Sequence, residues 1–277
     1  MGVKYLNSFL KKNCGHAIET LTLGQLKNKT VVIDASIYIY KFMETDDLHA
    51  HMRHMIETFH ENHIKMIFIF DGKPPPEKKQ ILMARNEIKW QAKEQHDALV
   101  LAESTDVQQI HELKCKSLRI NEHIVKEIKQ ICDDLKVNWI QAPQEADTLC
   151  IRFVKNKIAY ACLTEDMDMF VYGCERILKE LDLDKKTVQY YSINKICGAL
   201  NVSLFNFRQI VILSGTDYNT HVMPIRDGLF HYRNFKKNSG KFTNFYEWLF
   251  FYKKTTMKLT HLNKVIDMYQ ISDNIEA

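Results

Sequence analysis

The sequence predicts an α/β protein: a doubly wound, mostly parallel sheet with helices on both faces and a helical C-terminal appendage. Three observations carry this. Short apolar runs at 30–34 (TVVID), 66–71 (MIFIFD) and 158–163 (IAYACL) have the length and composition of strands buried on both faces. Helical patterns such as HMRHMIETFHENH and EHIVKEIKQICDDL lie between them. Strand alternating with helix is the pattern of crossover units in a parallel sheet. With 277 residues, the chain can hold one such domain and an appendage.

Taken in order, the N-terminal MGVKYLNSFLKK lacks the long apolar stretch of a secretory signal, and Leu6 stands where a myristoylation site needs Ser or Thr. No apolar run approaches the roughly 20 residues of a membrane span, so no membrane partner is expected. The first two strand runs end in Asp34 and Asp71. Residues 77–112 read as a highly charged helix with no core face, broken near AESTD at 102–106, the mark of an element projecting into solvent or bridging to a partner. In APQEADTLC, Pro143 places Glu145 and Asp147 in the first turn of a helix, where acids are favoured. The third strand run leads into LTEDMDMFVYG, which brings Asp166 and Asp168 to its end, with Glu165 pointing away. LSGTDYN adds Asp217.

After Asp217 the texture changes. Between 233 and 264 lie Arg233 and seven lysines against the single acid Glu247, interleaved with aromatics. The pattern fits either a nucleic-acid surface or an amphipathic cap with aromatic core and solvated lysines. The overall charge of +4 does not by itself specify a polyanionic partner. Seven scattered cysteines without a C-x-x-C pair exclude a zinc ribbon and fit reduced thiols in an intracellular protein. The histidines at 49, 51, 54, 60 and 63 read as a solvated helix face rather than a metal site.

In open parallel sheets, ligands bind outside the carboxyl ends of the strands. Asp34, Asp71, Glu145, Asp147, Asp166, Asp168 and Asp217 would all approach one rim. So many carboxylates cannot all ionise in a dry site without compensation, because each raises the pKa of the others. Hard divalent cations compensate them, and a pair of Mg²⁺ ions suits in-line phosphoryl displacement. Asp-x-Asp taken alone is more often a turn, and a single strand-end Asp more often a helix cap or turn former, than a ligand.

MGVKYL, VVIDASIYIYKF, FIFDGKPPPEKK, APQEADTLC, LTEDMDMFVYG and LSGTDYN occur in the order of the XPG/flap endonuclease family, which the chain resembles over about residues 1–219. The resemblance implies a PIN-like 5′-nuclease fold with a helical arch. It implies Mg²⁺-dependent cleavage of DNA at single-strand/double-strand junctions, 5′ flaps above all, in replication, repair or recombination. Two Mg²⁺ ions, replaceable by Mn²⁺, would be held by the seven acids named above. Lys78 and Arg85 match the family's catalytic basic pair; seven residues apart, they share a helix face, which Lys89 and Lys93 extend. Tyr40 matches an aromatic that stacks on the nucleotide at the cut, and Gly2 the N-terminal glycine beside the active site. The implied organisation is an N-terminal nuclease region at 1–95, arch and connection at 96–130, an internal nuclease region at 131–218 and a divergent helical DNA-binding region at 219–277.

One departure stands out. The family's Gly-x-Gly hairpin after the last acid is missing from TDYNTHVMPIRDGLFHYRNFKK, which keeps only Gly228. Arg226, Lys236 and Lys237, together with Arg233, would replace it by charge. No sliding-clamp peptide is apparent, and the short form resembles homologues carried by large DNA viruses. The expectation is a monomeric, nuclear enzyme, or one at a viral replication site. A 5′→3′ exonuclease of the same family, a non-catalytic junction-binding pseudonuclease and an aspartyl-phosphate phosphatase are the alternatives.

Overall fold

The computed structural model describes residues 3, 5–45, 47–219, 223–253 and 258–270; Gly2 lies outside them. In chain order the elements are α1 (Leu6–Asn13), β1 (Ile18–Thr22), β2 (Thr30–Asp34), α2 (Ala35–Met43), α3 (Leu48–Glu61), β3 (Lys65–Phe70), α4 (Lys79–Leu101), α5 (Val107–Ser117), α6 (Glu122–Asp134), β4 (Asn138–Gln141), α7 (Ala146–Lys155), β5 (Ala161–Leu163), α8 (Asp168–Tyr172), β6 (Arg176–Asp182), β7 (Thr187–Ser192), α9 (Ile193–Leu200), α10 (Leu204–Leu213), α11 (Ile225–Lys237), α12 (Phe245–Lys253) and α13 (Leu259–Met268). The strands of the described residues form one seven-stranded sheet in the order β1-β7-β6-β5-β2-β3-β4. β6, β5, β2, β3 and β4 run parallel; β7 and β1 close one edge antiparallel.

The expected two-faced burial is visible residue by residue along β2. Val32 joins Ile69 and Cys162 in one core, under α1, α7, α9 and α10. Val31 and Ile33 join Phe68 and Leu163 in the other, under α2, α3 and α6. Successive side chains of a strand point to opposite faces, so an apolar run without alternation needs cover on both. β2 has β3 on one side and β5 on the other, so the chain departs from it in both directions. That order opens a crevice at the carboxyl ends of the central strands.

Two local readings shift, and one left open is decided. The third strand is shorter than 158–163: Ile158 is half exposed, and regular pairing begins at Ala161, although Tyr160 N already donates to Thr30 O at 2.7 Å. Pro143 lies before α7 rather than in it, so Glu145 takes the N-cap position and Asp147 alone sits in the first turn. The C-terminal aromatics are mostly core: Phe245, Tyr246 and Trp248 are buried, while Phe251 and Tyr252 stay exposed. The charged helix behaves as its composition predicts. Along α4 only Ala92 is buried, and the break falls between Leu101 and Val107, where Asp106 caps α5 through Gln109 N at 2.9 Å. All seven cysteines are free, and none but Cys115 is more than slightly exposed. Among the described residues no single helix is long and apolar enough to cross a membrane.

Gly72 shows how tightly the crevice is built. Its amide donates to Gln144 O at 2.6 Å, and a Cβ there would collide with the backbone carbonyls of Ala142 and Pro143. Backbone cannot swing aside as a side chain can. Gly72→Ala is therefore expected to destabilise the fold by about 1–3 kcal/mol, as overpacking does. Urea titration checks this; an unchanged midpoint would mean the two loops separate freely.

Candidate active site

The acids meet at the carboxyl ends of the central strands, each held by its own local device. Asp34, the last residue of β2, caps α2 by accepting from Ile37 N at 3.4 Å. Its other oxygen accepts from Thr164 Oγ1 at 3.1 Å, and the same Thr164 oxygen accepts from Asp166 N at 3.1 Å. One buried hydroxyl thus ties the ends of β2 and β5 together. Asp71 follows β3 and accepts from Ala146 N at 2.8 Å, which locks it to the first turn of α7. Acids belong there, where helix amides lack partners. Asp147 is buried one residue further on. Asp166 Oδ1 accepts from Asp168 N at 3.0 Å, the start of α8. That short helix is closed at its far end by Gly173 in the left-handed region (φ 84) and by Arg208, which donates to the Val171 and Tyr172 carbonyls at 2.7 and 3.1 Å.

Lys78 and Arg85 join the acids. Lys78 ends a short 3-10 turn (Pro76–Lys78) that leads directly into α4; it is only 5% exposed. Its Nζ lies 2.7 Å from Glu145 Oε1 and 3.8 Å from Asp217 Oδ2, and 5.4 Å above the Tyr218 ring. Arg85 Nη2 pairs with Asp217 Oδ1 at 2.7 Å. Burial alone would lower the Lys78 pKa; Glu145, Tyr218 and Asp147 outweigh it and push the pKa up, so the ammonium is permanent.

The carboxylates perturb one another strongly. Burial, then Asp71 and Asp166, push Asp34 up to about 8. Burial, then Asp166 and Asp217, push Asp168 up to about 7 against the opposing pull of Tyr269 and Lys78. Asp147 rises well above the usual range through burial, Asp166 and Asp34; Glu145 rises through burial with Asp71 and Asp217, opposed by Lys78. These pairings place all seven acids in one electrostatic unit. Among the described residues no three of them approach as ligands of one ion would. The donor chemistry nevertheless fits hard divalent cations: all donors are oxygens, Lys78 and Arg85 offset only part of their charge, and Asp168 Oδ1 is buried without a hydrogen-bond partner among the described residues.

The Asp34 carboxyl titrates near 3.8 when ordinary and near 8 when folded. Between those values the folded state binds the extra proton, so stability falls as pH rises through this window. Thermal midpoints in EDTA should drop from pH 5 to pH 9, and Asp34→Asn should flatten the drop. A midpoint that rises over that range contradicts the electrostatics.

Of the remaining residues expected from sequence, Tyr40 and Lys89 meet: Lys89 Nζ lies 2.7 Å from Tyr40 Oη and 4.4 Å from its ring centre. Lys93 is exposed one turn further along α4. Arg226 lies in the first turn of α11, and Lys236 and Lys237 end it, all exposed; Arg226 Nε lies 4.0 Å from its neighbour Asp227, and no described ion pair joins the three to the seven active-site acids. Gly228 is buried where α11 meets Ile210 of α10, so it serves helix packing rather than a phosphate cradle. Glu165 turns away, as expected, into an ion pair with buried Lys179 at 3.3 Å. Sequence reasoning missed Thr164, Tyr218 and Tyr269. Thr164 carried a faint signal, a hydroxyl at a strand end beside two acids.

The XPG N-terminal domain matches residues 1–92 and the XPG I-region residues 136–217. The chain belongs to the XPG/flap endonuclease family. Flap endonuclease 1 of Entamoeba dispar is 28% identical over 293 residues, covering 99% of this chain and 73% of that protein. Flap endonuclease 1 of Methanococcus aeolicus is 28% identical over 235 residues, covering 79% of this chain and 69% of that protein. Among solved structures, the catalytic core of Rad2 in complex with DNA substrate superposes with a TM-score of 0.68 at 20% identity, covering 99% of this chain and 88% of that one. Flap endonuclease-1 from Methanococcus jannaschii gives 0.65 at 19%, covering 94% and 83%. The sheet and its flanking helices are thus the PIN-like 5′-nuclease fold of that family. All seven acids, Lys78 and Arg85 fall inside the two matched segments.

Proposed function

We propose that this protein is a Mg²⁺-dependent, structure-specific 5′ nuclease that hydrolyses DNA phosphodiesters at single-strand/double-strand junctions. The observation that carries the reading is the convergence of seven carboxylates, from the ends of β2, β3 and β5, the start of α7 and the turn after α10, around two cations of the protein's own. Asp34, Asp71, Glu145, Asp147, Asp166, Asp168 and Asp217 would hold two Mg²⁺ ions, or Mn²⁺ in their place. When bound, such a pair lowers the pKa of a water and stabilises the leaving oxygen of an in-line displacement.

The chain's own groups do the rest. Lys78 and Arg85 sit beside the acids and carry the charge of a phosphate that enters between them, so that charge growing on its oxygens meets fixed cations. Tyr40, held by Lys89, offers a ring to a base next to that phosphate. Lys93 and the exposed length of α4 and α5 would form the arch through which a single-stranded 5′ end passes. The water oxygen bonds to phosphorus as the bond to the leaving strand breaks. Solved neighbours were captured with DNA substrate, with Holliday junction DNA, and with product DNA, Mg²⁺ and Mn²⁺, which supports the same ligands here. The enzyme would act as a monomer in replication, repair or recombination, in the nucleus or wherever a virus copies its DNA.

Product lengths test the reading. On an end-labelled 5′-flap duplex the whole flap should leave as one fragment. Mononucleotides would indicate a 5′→3′ exonuclease, and tight junction binding without cleavage a pseudonuclease. Grip on the duplex is a separate matter, because α11 has no Gly-x-Gly hairpin. If charge replaces it, Lys236→Ala with Lys237→Ala should weaken duplex affinity and reduce the slope of log K against log salt by about 2, roughly one per lost phosphate contact. An unchanged slope would remove α11 from the binding surface.

A further inference from the structure

Tyr269, at the C-terminal end of α13, lies outside both family-matched segments. It is fully buried, and its hydroxyl donates to Asp168 Oδ2 at 2.9 Å across 101 residues of sequence. A buried phenol needs a hydrogen-bond partner, but a main-chain carbonyl serves as well. Tyr246, equally buried, gives its hydroxyl to Gln209 O at 2.8 Å. Tyr269 instead takes one oxygen of an active-site acid, and the other, Oδ1, is the buried oxygen without a partner among the described residues. The ring is wedged against Tyr172 (4.7 Å between centres) and Tyr218 (5.5 Å), and Tyr218 lies under Lys78. Leu262, Val265 and Ile266 anchor α13 in the core, so the hydroxyl is delivered by a rigid element.

We infer that Tyr269 is a positioning residue for the cation site: by occupying Oδ2 it fixes the Asp168 carboxylate and leaves Oδ1 as its ligating oxygen. This rests on the reading of the carboxylates as a divalent-metal site. Outer-shell hydrogen bonds to ligating carboxylates commonly set metal affinity by about 10- to 100-fold. The C-terminal helix therefore belongs to the catalytic unit rather than only to the DNA-binding appendage.

The test is Mn²⁺ binding to the DNA-free full chain, followed by the electron paramagnetic resonance of unbound Mn²⁺. Wild type, Tyr269→Phe, Asp168→Asn and the double variant form a cycle, with Tyr172→Phe as a packing control. Phe keeps the ring and removes only the hydroxyl. Tyr269→Phe should weaken Mn²⁺ binding about 10- to 100-fold, leave the duplex affinity near wild type, and have no further effect once Asp168 is Asn. Tyr172→Phe should bind as wild type does. Wild-type affinity in Tyr269→Phe, or an equal loss in the Asp168→Asn background, would overturn the inference while leaving the metal site standing. A wild-type chain that binds no Mn²⁺ would instead overturn the metal-site reading, and this inference with it.

Discussion

Asp166→Ala is expected to abolish cleavage of a flapped duplex, by at least about 10³-fold, the upper end of the cost of removing one electrostatic stabiliser, while leaving affinity for that duplex near wild type. Asp166 stands at the centre of the carboxylate unit. It raises the pKa values of Asp34, Asp147 and Asp168, and its Oδ1 fixes the first amide of α8. Its removal deletes a ligand for hard cations and none of the basic groups that would meet DNA. It also relieves like-charge repulsion, so without metal the variant should melt no lower than wild type. Cleavage and filter binding on the same preparation separate these effects. Full activity in Asp166→Ala would sink the two-metal assignment.

Lys78→Ala should lower single-turnover kcat by about 10²–10³-fold with a smaller change in KM, the signature of a group that acts on the developing charge. It should also cost stability. The Lys78–Glu145 pair is largely buried, with side chains 7% and 20% exposed, and removing one partner of a buried pair leaves the other charge uncompensated. Such a loss is about 3–5 kcal/mol. Added Mg²⁺ should recover part of it by giving Glu145 a new counter-charge, so melts in EDTA and in Mg²⁺ should diverge more for Lys78→Ala than for wild type. Arg85 is more exposed, and Arg85→Ala should melt closer to wild type. Unchanged kcat in Lys78→Ala would leave that residue a structural counter-ion only.

The core of the fold was readable because β2 and β3 are buried on both faces and end in acids, so strand and site share one signal. The antiparallel edge was not. β6 carries Lys179 at a fully buried position, acceptable only because Glu165 pairs with it, and its pairing with β7 shifts register between Lys179 and Asp182, near Glu180 at φ 52. Local pattern cannot anticipate a buried lysine whose partner lies 14 residues away. The same holds for Asp168 and Tyr269, which no spacing rule connects. The two-turn spacing of Lys78 and Arg85 put both on one side, although Lys78 belongs to the turn before α4. Only the structure shows that side meeting Glu145 and Asp217. The basic C-terminal stretch had two readings, and burial separates them by residue type: most of its aromatics fill the core under α10, and the lysines of α11 remain in solvent.

The most direct test of the central claim is cleavage of a 5′-end-labelled flap duplex by the purified chain, with Mg²⁺ and with EDTA in parallel. Seven acids gathered around Lys78 and Arg85 predict release of the intact flap in Mg²⁺ and none in EDTA. Cleavage that persists undiminished in EDTA would contradict the account, because the carboxylates would then have no part in the chemistry.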